Sequence, residues 1–135
     1  MLDYQKFLKE NPEGTFVTVE GSKPHCRIFH YLWGEETKAW FCTSNKKSVY
    51  RQMRNNPEVA FTTWNATSLD VVTVYGKAVF IDAPAAKERA LKSLALVREI
   101  FKSADNPDLE IFYIDVERVE TFDYANGPRR AFSYE

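Results

Sequence analysis

Thr43-Ser44-Asn45-Lys46-Lys47 stands where an apolar run rich in strand formers gives way to helical spacing. The start of a helix carries unpaired backbone N–H groups and roughly half a positive charge. Acidic residues normally fill such a first turn. With Ser44 or Asn45 as N-cap, two lysines fill it instead. Hydroxyls of Thr43 and Ser44, the Asn45 amide and the free N–H groups complete a pocket suited to a phosphate. The same pattern also fits a capped helix whose lysines point into water. Arg27 is the second signal. In an alternating strand it shares a face with His25, Phe29, Tyr31 and Trp33. An arginine on an aromatic face needs a partner. Beside Thr43–Lys47 its guanidinium could grip a second phosphate oxygen as a fork. An interface arginine–carboxylate pair, or an exposed rung, fits as well.

Other residues carry less. His25 and His30 fall on opposite strand faces, and Cys26 and Cys42 are not in ligand spacing with them, so no metal site is expected. The cysteines read as small buried hydrophobes, and no Cys-x-x-Cys motif points to a redox pair. Lys47, Arg51 and Arg54 share a helix face. That is a possible RNA stripe, better explained as a solvated face in a near-neutral chain. Neither a Gly-x-Ser-x-Gly elbow nor a phosphate-binding glycine loop occurs.

The elements that must position these residues follow from periodicity and breakers. Residues 2–10 read as a short amphipathic helix, ended by Asn11-Pro12-Glu13-Gly14. Thr15–Glu20, His25–Trp33 and Lys38–Thr43 read as strands and as consecutive antiparallel neighbours. A helix holding Val49 and Met53 follows and stops at Asn55-Asn56-Pro57. Val59–Trp64 is a strand. Leu69–Asp82 is a long one, with Gly76 marking a bulge or bend. Pro84 opens a helix through Phe101, striped by Ala90, Leu91, Leu94, Val97, Ile100 and Phe101, lying across the sheet without evident chemistry. Leu109–Asp115 and Arg118–Tyr124 read as two last strands, and Asn126-Gly127-Pro128-Arg129-Arg130 turns out of the second. The fold expected is mainly β: an antiparallel β-barrel of about seven strands with two or three peripheral helices, in one domain spanning residues 1–135.

The chain has 135 residues, 44% of them hydrophobic and 15% aromatic, which excludes a disordered chain. Its 18 Lys+Arg against 19 Asp+Glu give a net charge of −1, so no global basic field exists for nucleic acid or an anionic membrane. Two cysteines are too few for a secreted disulfide scaffold. The N-terminus has no signal-like apolar region, and no run is long enough to span a membrane. A cytoplasmic protein is therefore expected.

Pro24-His25-Cys26-Arg27, then Trp40-Phe41-Cys42-Thr43-Ser44-Asn45-Lys46-Lys47 and Asn55-Asn56-Pro57, resembles the pyridoxamine 5′-phosphate oxidase-like flavoproteins. Val74-Tyr75-Gly76-Lys77-Ala78 looks like the family's central strand. Phe7–Gly14 and the closing Asn126-Gly127-Pro128-Arg129 look like its small branch near the nitroimidazole-resistance proteins. The resemblance implies an FMN-binding split barrel working as a homodimer, with flavin between the subunits. Carried over, Arg27, Lys46 and Lys47 hold the phosphate with Ser44 and Asn45. The backbone around Ile28 and Phe29, and around Cys42 and Thr43, runs along the isoalloxazine. Phe29, Tyr31 and Trp33 become flavin and dimer surface.

The oxidase's C-terminal arginine–histidine segment has no counterpart here, and its polar pair at the central strand appears as Asp70-Val71. Pyridoxamine phosphate oxidation is therefore not expected. The function implied is FMN-dependent reduction of a small aromatic or nitro compound, with a reduced pyridine nucleotide as donor. A non-catalytic flavin store or redox sensor, or a deazaflavin-dependent relative, is the alternative. No catalytic side chain is identifiable.

Overall fold

The computed structural model describes residues 3–123 in full and the backbone of 130–133. Of the expected turn at 126–130, residues 126–129 lie outside the described residues and Arg130 opens a strand. Helix α1 (Tyr4–Glu10) begins where the Asp3 carboxylate accepts the Lys6 N–H at 3.3 Å. It buries Tyr4, Phe7 and Leu8, spaced three and four apart along one face. Strands β1 (Glu13–Glu20) and β2 (Lys23–His30) form an antiparallel hairpin, and a three-residue β3 (Trp33–Glu35) precedes β4 (Lys38–Ser44). Then come α2 (Ser48–Asn55), β5 (Glu58–Trp64), β6 (Val71–Ile81), α3 (Pro84–Ser93), α4 (Ala95–Phe101), β7 (Leu109–Phe122) and β8 (Arg130–Ser133).

All strand pairings are antiparallel, in the order β2-β1-β5-β6-β7-β4-β3, with β8 added to β7. The two ends of this path are brought together by the chain itself. After β2 it crosses through Tyr31 and Leu32, whose N–H groups donate to Pro12 O (2.8 Å) and Trp40 O (2.9 Å). The sheet thus curls into a barrel that stays unzipped between the end of β2 and the Cys42–Ser44 end of β4, which the short β3 does not cover. That is the split β-barrel anticipated from the sequence. A cluster of phenylalanines packs through its interior among valines and other apolar residues. Phe16 and Phe29 stack at 4.7 Å, Phe41 meets Phe61 at 4.9 Å, and Phe80 meets Phe112 at 5.3 Å. A second apolar cluster lies where α3 and α4 cover Trp33, Trp40, Leu109 and Ile111.

Several expected elements differ. The run His25–Trp33 is not one strand, because the crossover interrupts it. Strand β4 pairs with β3 and β7 rather than with β2. The helix expected over Ala85–Phe101 breaks at Leu94, which is extended (φ −148°, ψ 126°). Arg98 stabilises the break by donating to the Leu91 and Lys92 carbonyls at 2.6 and 3.2 Å. With α1 and α2 this makes four helices among the described residues. The two last strands are one. Between β6 and β7 the register slips from Tyr75↔Arg118 to Gly76↔Val116, leaving Glu117 over as a bulge. A side chain at Gly76 would run into the Asp115 carbonyl, so the bend that keeps β7 continuous needs glycine there.

Candidate functional site

The unzipped seam forms a cleft of about 170 Å³. One wall is the end of β2, with Ile28, Phe29 and His30. The facing wall is the end of β4, with Cys42, Thr43 and Ser44. Lys47 stands at its edge. Helix α4 closes it with an apolar side that includes Leu96, Val97, Ile100 and Phe101. Six of the nine residues expected at the site therefore converge: Ile28, Phe29, Cys42, Thr43, Ser44 and Lys47.

Arg27, Asn45 and Lys46 do not line the cleft. Arg27 turns toward α2, where Nη1 donates to Thr18 Oγ1 (2.9 Å) and Nη2 to Gln52 Oε1 (2.8 Å). Thr18 in turn donates to the same Gln52 oxygen at 2.6 Å, closing a triangle around buried Thr18 and Gln52. The partner that Arg27 required is thus an amide and a hydroxyl, not a carboxylate. Burial lowers the guanidinium's pKa. Asn45 anchors its turn, donating from Nδ2 to Pro107 O (2.8 Å) and Glu110 Oε2 (2.9 Å). Lys46 is exposed, and its N–H donates to Ser44 Oγ at 3.2 Å.

The helix begins two or three residues later than an N-cap at Asn45 or Ser44 would place it. Lys47 itself is the N-cap of α2, and no side chain caps the first turn. The lysines therefore flank the helix start instead of filling its first turn. The first-turn N–H groups keep no side-chain acceptor, as an anion site requires.

Two more expectations are overturned. Cys26 is exposed rather than buried, because β2 is an edge strand with an open outer face. Tyr31 and Trp33 are 4% and 9% exposed, so they are core residues and not flavin or dimer surface. The crossover swings them inward, Tyr31 donating to Gln5 Oε1 (2.7 Å) and Trp33 stacking on Trp40 (5.1 Å).

The electrostatics of the cleft favour neutral side chains. Burial pushes the Cys42 thiol up to about 12, although Lys47 pulls it down. Burial lowers the His30 imidazole below its usual value, opposed by Glu13, whose Oε1 is 3.9 Å from Nδ1. Thr43 Oγ1 is buried without a hydrogen-bond partner. Such an orphan is costly in an apolar wall, and a polar ligand edge would relieve it.

The family model for pyridoxamine 5′-phosphate oxidase matches residues 3–123. The chain belongs to this family. Its members are commonly dimers. Among solved structures, a NimC/NimA family protein from Clostridium acetobutylicum is 25% identical with a TM-score of 0.84, covering 96% of this chain and 88% of that one. A heme-binding protein from Mycobacterium smegmatis is 18% identical with a TM-score of 0.78, covering 96% and 55%. A FAD-binding protein from Mesorhizobium loti is 16% identical with a TM-score of 0.68, covering 90% and 94%. No curated protein matches. For this family member the orphaned Thr43 hydroxyl, the apolar walls and the uncapped helix start beside Lys47 fit a planar heteroaromatic ring carrying a phosphate. Sequence reasoning missed His30, Leu32 and the α4 wall. The one available signal was Leu96, an apolar residue outside the stripe, which makes α4 more apolar than a single buried stripe needs. Leu96 and Ile100 are 54% and 58% exposed.

Proposed function

We propose that this protein binds FMN in the seam cleft and acts as an FMN-dependent oxidoreductase, with a reduced pyridine nucleotide as donor and a small aromatic or nitro compound as acceptor. The observation that carries the reading is the seam itself: an apolar slot with a buried, unpartnered Thr43 hydroxyl, bordered by Lys47 at an uncapped helix start. A bound flavin supplies the electron-carrying chemistry. The chain's residues hold and surround it. Lys46, Lys47 and the N–H groups of α2 neutralise the phosphate, while Arg27, held by Thr18, Gln52 and the Phe16 carbonyl, adds positive charge behind the cleft wall. Ser44 and Asn45 shape the turn. Thr43 hydrogen-bonds the polar edge of the ring, while Phe29 and the α4 side chains exclude water. Cys42, held protonated, is not a nucleophile.

The cleft of about 170 Å³ is smaller than the ~300–1,000 Å³ of complete small-molecule sites. A second copy of the chain supplies the missing wall, and Ile28, 67% exposed at the rim, is placed to meet it. The test is the visible spectrum of the purified protein before and after adding FMN. Flavin bands that saturate at one FMN per chain support the reading. No change on adding FMN, or a heme band that FMN cannot displace, overturns it. Steady-state oxidation of NADH or NADPH with a nitroaromatic panel then separates an enzyme from a flavin store or sensor, which would hold FMN and turn over slowly with every donor. Saturation by a deazaflavin and not by FMN would assign the alternative cofactor.

A further inference from the structure

Leu32 lines the seam cleft and also a second cavity, of about 410 Å³, formed where α1 and α3 meet the crossover. This volume lies within the range of small-molecule sites, ~300–1,000 Å³. Its lining includes three cations, Lys6 and Lys9 on α1 and Arg89 on α3, and no aspartate or glutamate. Lys6 and Lys9 are three apart and share a helix face. The Arg89 guanidinium lies over the Trp33 ring, 4.4 Å from its centroid, and that ring is fixed by stacking on Trp40. An aromatic platform orients a guanidinium without neutralising it, so its N–H edge stays available. Among the described residues neither Arg89 nor Lys9 has a carboxylate partner, and Lys6 reaches Glu10 only at 4.0 Å in an exposed pair. Burial pushes the Tyr31 hydroxyl in the same cavity up to about 12; Arg89 pulls it down and Asp3 pushes it up. In a chain of net charge −1 this concentration of positive charge is local. Three cations in a lining that contains no carboxylate, with Asp3 the acid that acts on Tyr31 from nearby, suit a polyanion better than a single carboxylate.

We propose that this cavity is an anion subsite for the diphosphate of a dinucleotide electron donor, whose redox-active end reaches past Leu32 into the seam cleft. The assignment deepens the flavin reading and rests on it for the identity of the donor. The test uses the full chain loaded with FMN. ADP is the probe, with adenosine and inorganic phosphate as separate arms, read by calorimetry and by tryptophan fluorescence, since Trp33 lies beneath Arg89. ADP should bind and perturb the fluorescence. The triple substitution Lys6→Gln, Lys9→Gln, Arg89→Gln should weaken ADP by about tenfold or more. FMN affinity should stay within about twofold, because the substituted side chains lie outside the cleft. Equal ADP affinity in the triple variant overturns the proposal. So does adenosine binding as tightly as ADP, which would mean that the phosphates are not read. Inorganic phosphate binding as tightly as ADP overturns the nucleotide assignment in favour of a free-phosphate site. FMN binding is read from the visible spectra of the same samples, so failure of the flavin reading and failure of this one are separate results.

Discussion

Replacing Lys47 with alanine tests the phosphate corner most directly. Lys47 borders the cleft, caps α2 with its backbone and lowers the pKa of the neighbouring Cys42. A hydrogen bond to a charged group contributes about 1.5–3 kcal/mol. Lys47 is exposed, so solvent and salt put it at the lower end. About 1.5 kcal/mol corresponds to roughly a tenfold rise in Kd. Riboflavin presents the same ring without the phosphate, and its Kd should change by less than about twofold. Both affinities can be measured by quenching of flavin fluorescence on titration with protein. The FMN difference should shrink as salt rises through the physiological range, since the interaction removed is between charges near solvent. Equal weakening of FMN and riboflavin would refute the reasoning. It would mean that Lys47 acts through the cleft wall and not through the phosphate.

Other expectations follow from the same geometry. Gly76→Ala should destabilise the fold by about 1–3 kcal/mol in urea unfolding, because the new methyl group overlaps the Asp115 carbonyl at the bulge. Phe16→Ala, at the centre of the phenylalanine core, should cost about 3–5 kcal/mol by the same measurement. At mild alkaline pH a thiol reagent should label exposed Cys26 and leave Cys42 unmodified, as peptide mapping would show. The Cys42 pKa is raised from 9.0 to about 12, so the folded state holds a proton that the unfolded chain releases. Its contribution to stability is therefore present below pH 9.0 and lost as pH rises toward about 12, and Cys42→Ala should flatten that alkaline fall. His30 shifts the other way from its usual 6.5. The unfolded chain takes up the proton first, so stability should decline as pH falls below 6.5, less steeply in His30→Gln.

How the site came to be legible can be followed residue by residue. Thr43 through Lys47 stood out because a strand period ends and a helix period begins there, and local propensity is enough to show such a junction. The mainly β architecture and the Gly76 bend were equally local signals. The crossover at Tyr31-Leu32 was not. The apolar run continues unbroken through Trp33, and only the closing of the sheet decides that the chain must leave one edge and join the other. The same closure buried Tyr31 and Trp33, exposed Cys26, and turned Arg27 toward Gln52 across 25 residues of sequence. The break at Leu94 was hidden because Leu and its neighbours are good helix formers, and Arg98 reaching back to the Leu91 and Lys92 carbonyls outweighs that preference.

The sequence alone determined that the chain is mainly β, where the strand-to-helix junction at Thr43–Lys47 lies and what family pattern it follows, because each depends on neighbours a few positions away. Tertiary structure decided that the curled sheet stays open between β2 and β4, that α4 walls the opening and that α1 and α3 gather cations beside it. Those outcomes depend on which distant faces exclude water from one another. Burial of apolar surface does not record, in any short stretch of chain, which partner will provide it.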